Sequence, residues 1–224
     1  MIISVTTTKG GTGKTTITTN LAVAFAHRDY KVCIIDADTG QFSSSEWARD
    51  RADERIHIPV YKVVAEKLNK EAKLLSETFD IVFIDGRPTL SETTDRLILA
   101  SDVVIIPVQT SKIDISAFEV YVNRFEEINA MKEDYGAYTT AFALLNRVKS
   151  NTIIKTETKE IVGDIITDKK VRLLTCEIGD RVAYQDAPTE GLGVIEYIDR
   201  KAKKEINALT DELESLLKDA DSTE

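Results

Sequence analysis

The sequence predicts a three-layer, doubly wound α/β fold, with a mostly parallel sheet of about seven strands and helices on both faces. Three observations predict it. Short apolar, β-branched runs recur along the chain and are nearly continuous rather than alternating, as strands buried on both faces require. Segments with helical spacing of apolar residues lie between them with little slack, so the order reads βαβα, which builds a parallel sheet through crossover helices. The first strand runs straight into a glycine-rich turn, and ligands of open α/β sheets sit at the carboxyl ends of strands.

In chain order, strands are expected at 1–6, 31–36, 81–85, 103–108, 141–145 and 171–175, with a shorter one at 57–60. Helices are expected at 15–27, 65–76, 92–100, 114–131 and 153–163. In the fourth of these, Phe118, Tyr121, Phe125 and Ile128 fall three and four apart and so share one face. From Ile195 onward, Ile198, Ala202, Ile206, Leu209, Leu213 and Leu216 recur at helical spacing, while Asp211, Glu212, Glu214 and Asp219 mark an acidic outer face. Such a helix is expected to pack on the domain rather than on an anionic bilayer, which would repel it. There is no internal repeat or linker, so residues 1–218 are expected to form one domain and 219–224 a frayed tail.

Composition narrows the function classes. A chain of 224 residues with 42% hydrophobic content supports one sizeable core. No apolar stretch approaches the roughly 18 to 20 residues that span a bilayer, and the N-terminus lacks a basic segment, apolar core and cleavage site. The expected location is therefore cytoplasmic. Cys33 and Cys176 cannot by themselves make a disulfide framework or a four-thiolate site, and both are expected to be buried, inert thiols. A formal net charge of −9 excludes bulk electrostatic coating by nucleic acid but leaves room for a local basic face.

The chemistry concentrates at residues 8–16, TKGGTGKTT. Gly10, Gly11 and Gly13 permit backbone conformations closed to other residues, so that N–H groups, those of Thr12 and Thr16 included, can wrap phosphate oxygens. Lys14 would reach the β- and γ-phosphates of a nucleoside triphosphate, and the Thr15 hydroxyl would ligate magnesium at a helix N-terminus that favours anions. Two features depart from the general G-x-x-x-x-G-K-[ST] pattern. Thr8 stands at its first position, and a second lysine, Lys9, stands at the beginning of the loop.

With Lys9 included, KGGTGKTT resembles the deviant Walker A motif of the ParA/MinD family of P-loop ATPases, whose members dimerise around two nucleotides. The resemblance implies that Lys9 crosses to the partner subunit's phosphates and stabilises transition-state charge in trans, as an arginine finger does. It also assigns carboxylates at strand ends. In VCIIDADTGQ, Asp36 would support the magnesium shell and Asp38 would orient the attacking water, although Thr39-Gly40 replaces the usual single Pro and displaces Gln41 by one place. In FDIVFIDGRP, Asp85 matches Walker B and would hold magnesium through water. Asn146, in FALLNRVKS, stands where relatives meet the adenine ring, with the loop 176–180 completing the pocket; the alternative is an Asn that turns the chain at a strand end.

The resemblance extends through DRVAYQDAPTEGLGVIEYID and is nearest to the short partition ATPases, which lack an upstream helix-turn-helix domain. It implies ATP and Mg2+ as cofactors, an ATP-bound homodimer, binding to nonspecific DNA and location on the nucleoid. It also implies a separate centromere-binding partition protein that stimulates otherwise weak hydrolysis. Lys149, Lys170, Arg172 and Arg181 are the candidate DNA contacts, although Glu157, Glu160 and Asp168 dilute that surface. A membrane-associated positioning ATPase and a nucleotide-switched scaffold with little hydrolysis remain as alternatives. The metabolic and iron-sulfur relatives would need substrate residues or cluster cysteines, and Cys33 falls in an expected buried strand.

Overall fold

A computed structural model describes residues 1–38, 43–87, 92–149 and 153–221. The strands are β1 Ile2–Val5, β2 Val32–Asp36, β3 Val60–Lys62, β4 Ile81–Asp85, β5 Val103–Val108, β6 Thr140–Val148 and β7 Val171–Gly179. They form one seven-stranded sheet, ordered β3-β2-β4-β1-β5-β6-β7, with parallel pairing throughout. The helices are α1 Lys14–Ala26, α2 Ser43–Asp50, α3 Leu68–Ser76, α4 Glu92–Ala100, α5 Lys112–Glu133, α6 Ile153–Ile166, α7 Ala183–Thr189 and α8 Arg200–Asp221.

Alternation along the central strands divides the core into two layers. Ile3, Ile34, Phe83 and Ile105 face α1, α2, α7 and α8, where they meet Ile17, Leu21, Trp47 and Leu209. Cys33, Ile35, Val82 and Ile84 face α3 and α4, while Val104 and Ile106 face α4 and α5. The three-layer, doubly wound fold is therefore present. Strand β1 is central, with β2 and β3 placed to one side and β4 inserted between β2 and β1, while β5 to β7 run outward on the other, so the strand order reverses at β1 and its end lies where such sheets hold ligands.

Several boundaries differ from the expectation. The short strand at 57–60 lies instead at Val60–Lys62, because pairing with β2 begins where Ile34 N donates to Pro59 O and continues to Val63 N on Asp36 O. Pro59 has no N–H to give, which suits the approach to an edge strand. Strands β6 and β7 both run past their expected ends, so 176–179 is strand rather than loop. Helices α2 and α7 carry too few apolar residues to show a period.

The last helix begins at Arg200, with Asp199 Oδ1 accepting from the N–H groups of Lys201 and Ala202, so Ile198 precedes the helix and is 84% exposed. Ala202, Ile206, Leu209 and Leu213 are buried, as expected. The acidic face is not simply solvated: Glu212 accepts from β7 backbone, and Glu214 accepts from Arg28 and Tyr30. Helix α8 runs to Asp221, past the boundary placed at 218, and 222–224 lie outside the described residues. Cys33 is buried, whereas Cys176 is only half-buried.

Candidate nucleotide-binding site

The glycine-rich turn leaves β1 and enters α1 with Gly11 at φ 74° and Gly13 at φ 93°, left-handed values that favour glycine. Gly13 also has no room for a side chain, since a Cβ there would lie 2.4 Å from Asn146 Nδ2. No side chain caps α1, so its first N–H groups face the cavity and are available to an anion. Lys14 is buried, with Nζ 3.3 Å from the Lys9 carbonyl. Burial lowers its pKa, against the opposing charges of Asp85 and Asp38.

Strands β2 and β4 bring their terminal carboxylates side by side, since Asp36 and Asp85 are register partners. Asp85 Oδ2 accepts from Thr15 Oγ1 at 2.7 Å and from Ser44 Oγ at 2.5 Å. Burial pushes its pKa up to about 6, with the Ser44 and Thr15 hydroxyls acting in the other direction. Its Oδ1 is buried without a hydrogen-bond partner among the described residues. Asp36 accepts from Ser45 N at 2.9 Å and Ser45 Oγ at 2.8 Å, and burial raises its pKa as well. Asp38 stands at the cavity with Arg87 Nε at 4.0 Å. Thr39, Gly40 and Gln41 lie outside the described residues.

These donors fit magnesium. The ion takes hard oxygen ligands, commonly one or two carboxylates together with phosphate oxygens and water, and the orphaned Asp85 Oδ1 beside the Thr15 hydroxyl supplies that chemistry. Ser44 and Ser45 hold these two carboxylates and are not among the residues expected from the sequence. Their signal was the serine run at 43–45 opening α2, a helix-capping composition whose target could not be seen.

Lys9 turns toward α5. Its Nζ lies 2.6 Å from Asp114 Oδ1, with Asp114 almost wholly buried and Lys9 about one-third exposed. Ser111 caps α5 by accepting from Asp114 N, and the Ser111 hydroxyl also bonds the Asp114 carboxylate. Gln109 Nε2 donates to Gly11 O at 2.9 Å and Thr8 Oγ1 to Ala117 O at 3.2 Å, which holds the loop on the start of α5.

A cavity of about 570 Å³ runs from Lys14 and Thr15 past Asn146 to Gly179, Arg181 and Tyr184. Asn146 Nδ2 donates to Thr12 O at 2.6 Å. Because a carbonyl needs a donor, this bond fixes the amide orientation and leaves Oδ1 as the acceptor of a side chain that lines the cavity, a chemistry suited to the amino group of a base such as adenine. Asn146 is thus tied to the phosphate loop rather than merely turning the chain. A larger cavity of about 810 Å³, lined by Arg49, Arg55 and Lys62, contains none of the phosphate-loop residues.

The four candidate DNA contacts are not one patch. Lys170 and Arg172 stand at the beginning of β7 and Arg181 just beyond its end, a nine-residue strand or about 30 Å away. Lys170 pairs with Glu133, and the Arg172 guanidinium lies 5.0 Å from the Phe142 ring centroid. Arg181 lines the nucleotide cavity and pairs with Glu205 at 2.5 Å. Lys149 is exposed at the end of β6.

Comparison with known proteins gives the same picture. Residues 3–195 match the family model described as the CobQ/CobB/MinD/ParA nucleotide binding domain. The maintenance of carboxysome distribution protein A of Halothiobacillus neapolitanus is 26% identical over 216 residues, covering 94% of this chain and 95% of that protein. Two solved structures share the fold. One is the septum site-determining protein MinD complexed with Mg-ADP from Pyrococcus horikoshii, at TM-score 0.72 and 21% identity over 96% of each chain. The other is a protein of Borrelia burgdorferi B31, named for plasmid partition and bound to AMPPNP, at TM-score 0.67 and 20% identity over 97% of this chain and 98% of that one.

Proposed function

The chain belongs to the CobQ/CobB/MinD/ParA nucleotide-binding family, and from that premise we propose that it is a magnesium-dependent ATPase that positions cargo, with DNA partition as the leading role. The observation that carries the ATPase reading is the convergence of Lys14, Thr15, Asp36, Asp38 and Asp85 at the carboxyl ends of β1, β2 and β4. In this reading the backbone of Gly10 to Thr16 cradles the phosphates and Lys14 balances their charge. Thr15 and Asp85 hold magnesium, which supplies charge neutralisation at the phosphates, and Asp36 orders the shell through Ser45. Asp38 orients the attacking water. Lys9 of the partner subunit adds positive charge where the transition state spreads negative charge, so hydrolysis depends on dimerisation.

The partition role draws on the similar plasmid partition structure and on a helix α8 whose Ala202, Ile206, Leu209 and Leu213 are buried in the core. No helix of the described residues is long and apolar enough to cross a membrane. In this role the ATP dimer binds nonspecific DNA on the nucleoid, and a centromere-binding partner stimulates hydrolysis and release. A second reading, distribution of a protein body by the same engine, is favoured by the relative named for carboxysome distribution. The test is binding to nonspecific DNA and to anionic vesicles with ATP, ADP or no nucleotide at two salt concentrations, beside magnesium-dependent turnover. DNA binding that requires ATP and weakens steeply with salt supports partition. No DNA binding under any nucleotide condition overturns it, vesicle binding favours the membrane role, and tight ATP binding without turnover favours a scaffold.

A further inference from the structure

Helix α8 grips the sheet with two carboxylates seven residues, or about two turns, apart. Glu212 accepts from Thr175 N at 2.7 Å and Cys176 N at 2.8 Å. Strand β7 is the outer strand of the sheet, so its outward N–H groups need acceptors, and Glu212 supplies them.

Glu205 does something different. Its Oε2 accepts from Gly179 N at 3.3 Å and from the Tyr184 hydroxyl at 3.1 Å. Its Oε1 accepts from Arg181 Nε at 2.9 Å and from a terminal guanidinium nitrogen at 2.5 Å. One side chain therefore gathers Gly179, Arg181 and Tyr184, all of which line the nucleotide cavity with Asn146. The packing around it is tight, since a Cβ on Gly179 would lie 3.0 Å from Glu205 Oε1 and 3.3 Å from the Arg181 guanidinium.

We propose that Glu205 is a positioning residue for the nucleobase: it holds the 179–184 wall in place, so that this backbone and Asn146 Oδ1 offer one fixed hydrogen-bond pattern to an amino-bearing base. A wall ordered in advance loses little conformational entropy when the base arrives. The inference rests on the nucleotide reading above and adds to it a residue from the last helix, remote from the phosphate loop in sequence.

The test separates the base from the phosphates. With the full chain and magnesium, affinities for ADP and for inorganic pyrophosphate are measured by calorimetry in wild type, Glu205→Gln and Glu212→Gln. In Glu205→Gln, loss of charge-assisted bonds should weaken ADP about tenfold and leave pyrophosphate within about twofold. KM for ATP should rise by a similar factor while kcat holds. Glu212→Gln should lower Tm and leave the ADP to pyrophosphate ratio unchanged. Parallel loss of both ligands in Glu205→Gln, unchanged ADP binding there, or the same ADP-selective loss in Glu212→Gln would each overturn the proposal. Should Glu205→Gln not fold, Arg181→Gln removes the same contact from the other side and must show the ADP-selective loss. Wild type that binds neither ligand defeats the nucleotide reading itself, whereas wild type that binds both with no effect of either variant defeats only the role of Glu205.

Discussion

Lys9 Nζ lies 2.6 Å from the buried Asp114 carboxylate of its own subunit. A lysine that serves a partner's phosphates must leave that carboxylate first, so the ion pair competes with dimerisation. Lys9 is partly exposed and solvent screens the pair, so each pair is worth only about 1 kcal/mol; a dimer releases two, which is about 2 kcal/mol or about thirtyfold in the dimer constant. Asp114→Asn keeps the oxygen that the Ser111 hydroxyl can reach while removing the charge. Sedimentation with ATP should show a tighter dimer in Asp114→Asn. Lys9→Ala should still bind nucleotide yet lose dimer-linked turnover, and wild-type turnover in that variant would refute the cross-subunit role.

Asp85 carries its charge at a cost. Burial raises its folded pKa from 3.8 to about 6, so folding favours the protonated form. The sign follows: its stabilising contribution is complete below pH 3.8 and is lost as pH rises through about 6. At pH 8 the penalty relative to a neutral side chain is about 3 kcal/mol. Asp85→Asn should therefore raise Tm of the nucleotide-free chain at pH 8, show little gain at pH 4, and abolish magnesium-dependent turnover. An equal Tm gain at both pH values would show that ionisation is not the cause.

What was legible in the sequence was local. The central strands could be read because burial on both faces makes them continuously apolar, and GGTGKTT could be read because all its parts are adjacent. The partners of those parts were not. Asp114 stands 105 residues from Lys9, and Ser44 stands 41 residues from Asp85 on a helix, SSSEWARD, with one large apolar side chain and hence no period to detect. At Arg181 the sequence shows a positive charge without its counterion. Glu205 arrives 24 residues later and on another element.

Arg51 and Glu196 form a two-bond ion pair buried behind α2, with both nitrogen to oxygen distances at 2.8 Å. Burial works to raise the Glu196 pKa, but Arg51, Gly193 N–H and His27 outweigh it and hold the carboxyl at about 2. This contribution is present above the unfolded value of 4.5 and is lost as pH falls through 2, and at pH 7 it amounts to about 3 kcal/mol. Urea unfolding should find Glu196→Gln less stable by about that amount at pH 7, with the gap to wild type narrowing at pH 3. A gap independent of pH would assign the loss to packing.

Gly13 joins the phosphate end of the cavity to the base end. Its φ of 93° already strains any side chain, and an added Cβ would meet Asn146 Nδ2 at 2.4 Å, displacing the amide that donates to Thr12 O. Left-handed backbone costs a non-glycine residue about 1 to 2 kcal/mol, and loss of the Thr12 bond adds about 1 kcal/mol more. The chain is stabilised mainly by its two core layers, so Gly13→Ala should still fold, with a Tm lower by roughly 4 to 12 °C. Nucleotide binding should fall far more, because the loop loses its shape and Asn146 its position together. Restoring room with Gly13→Ala, Asn146→Ala should recover pyrophosphate binding more than ADP binding, since only the phosphate end is relieved. Equal recovery of both ligands would mean that Asn146 contributes nothing to the base.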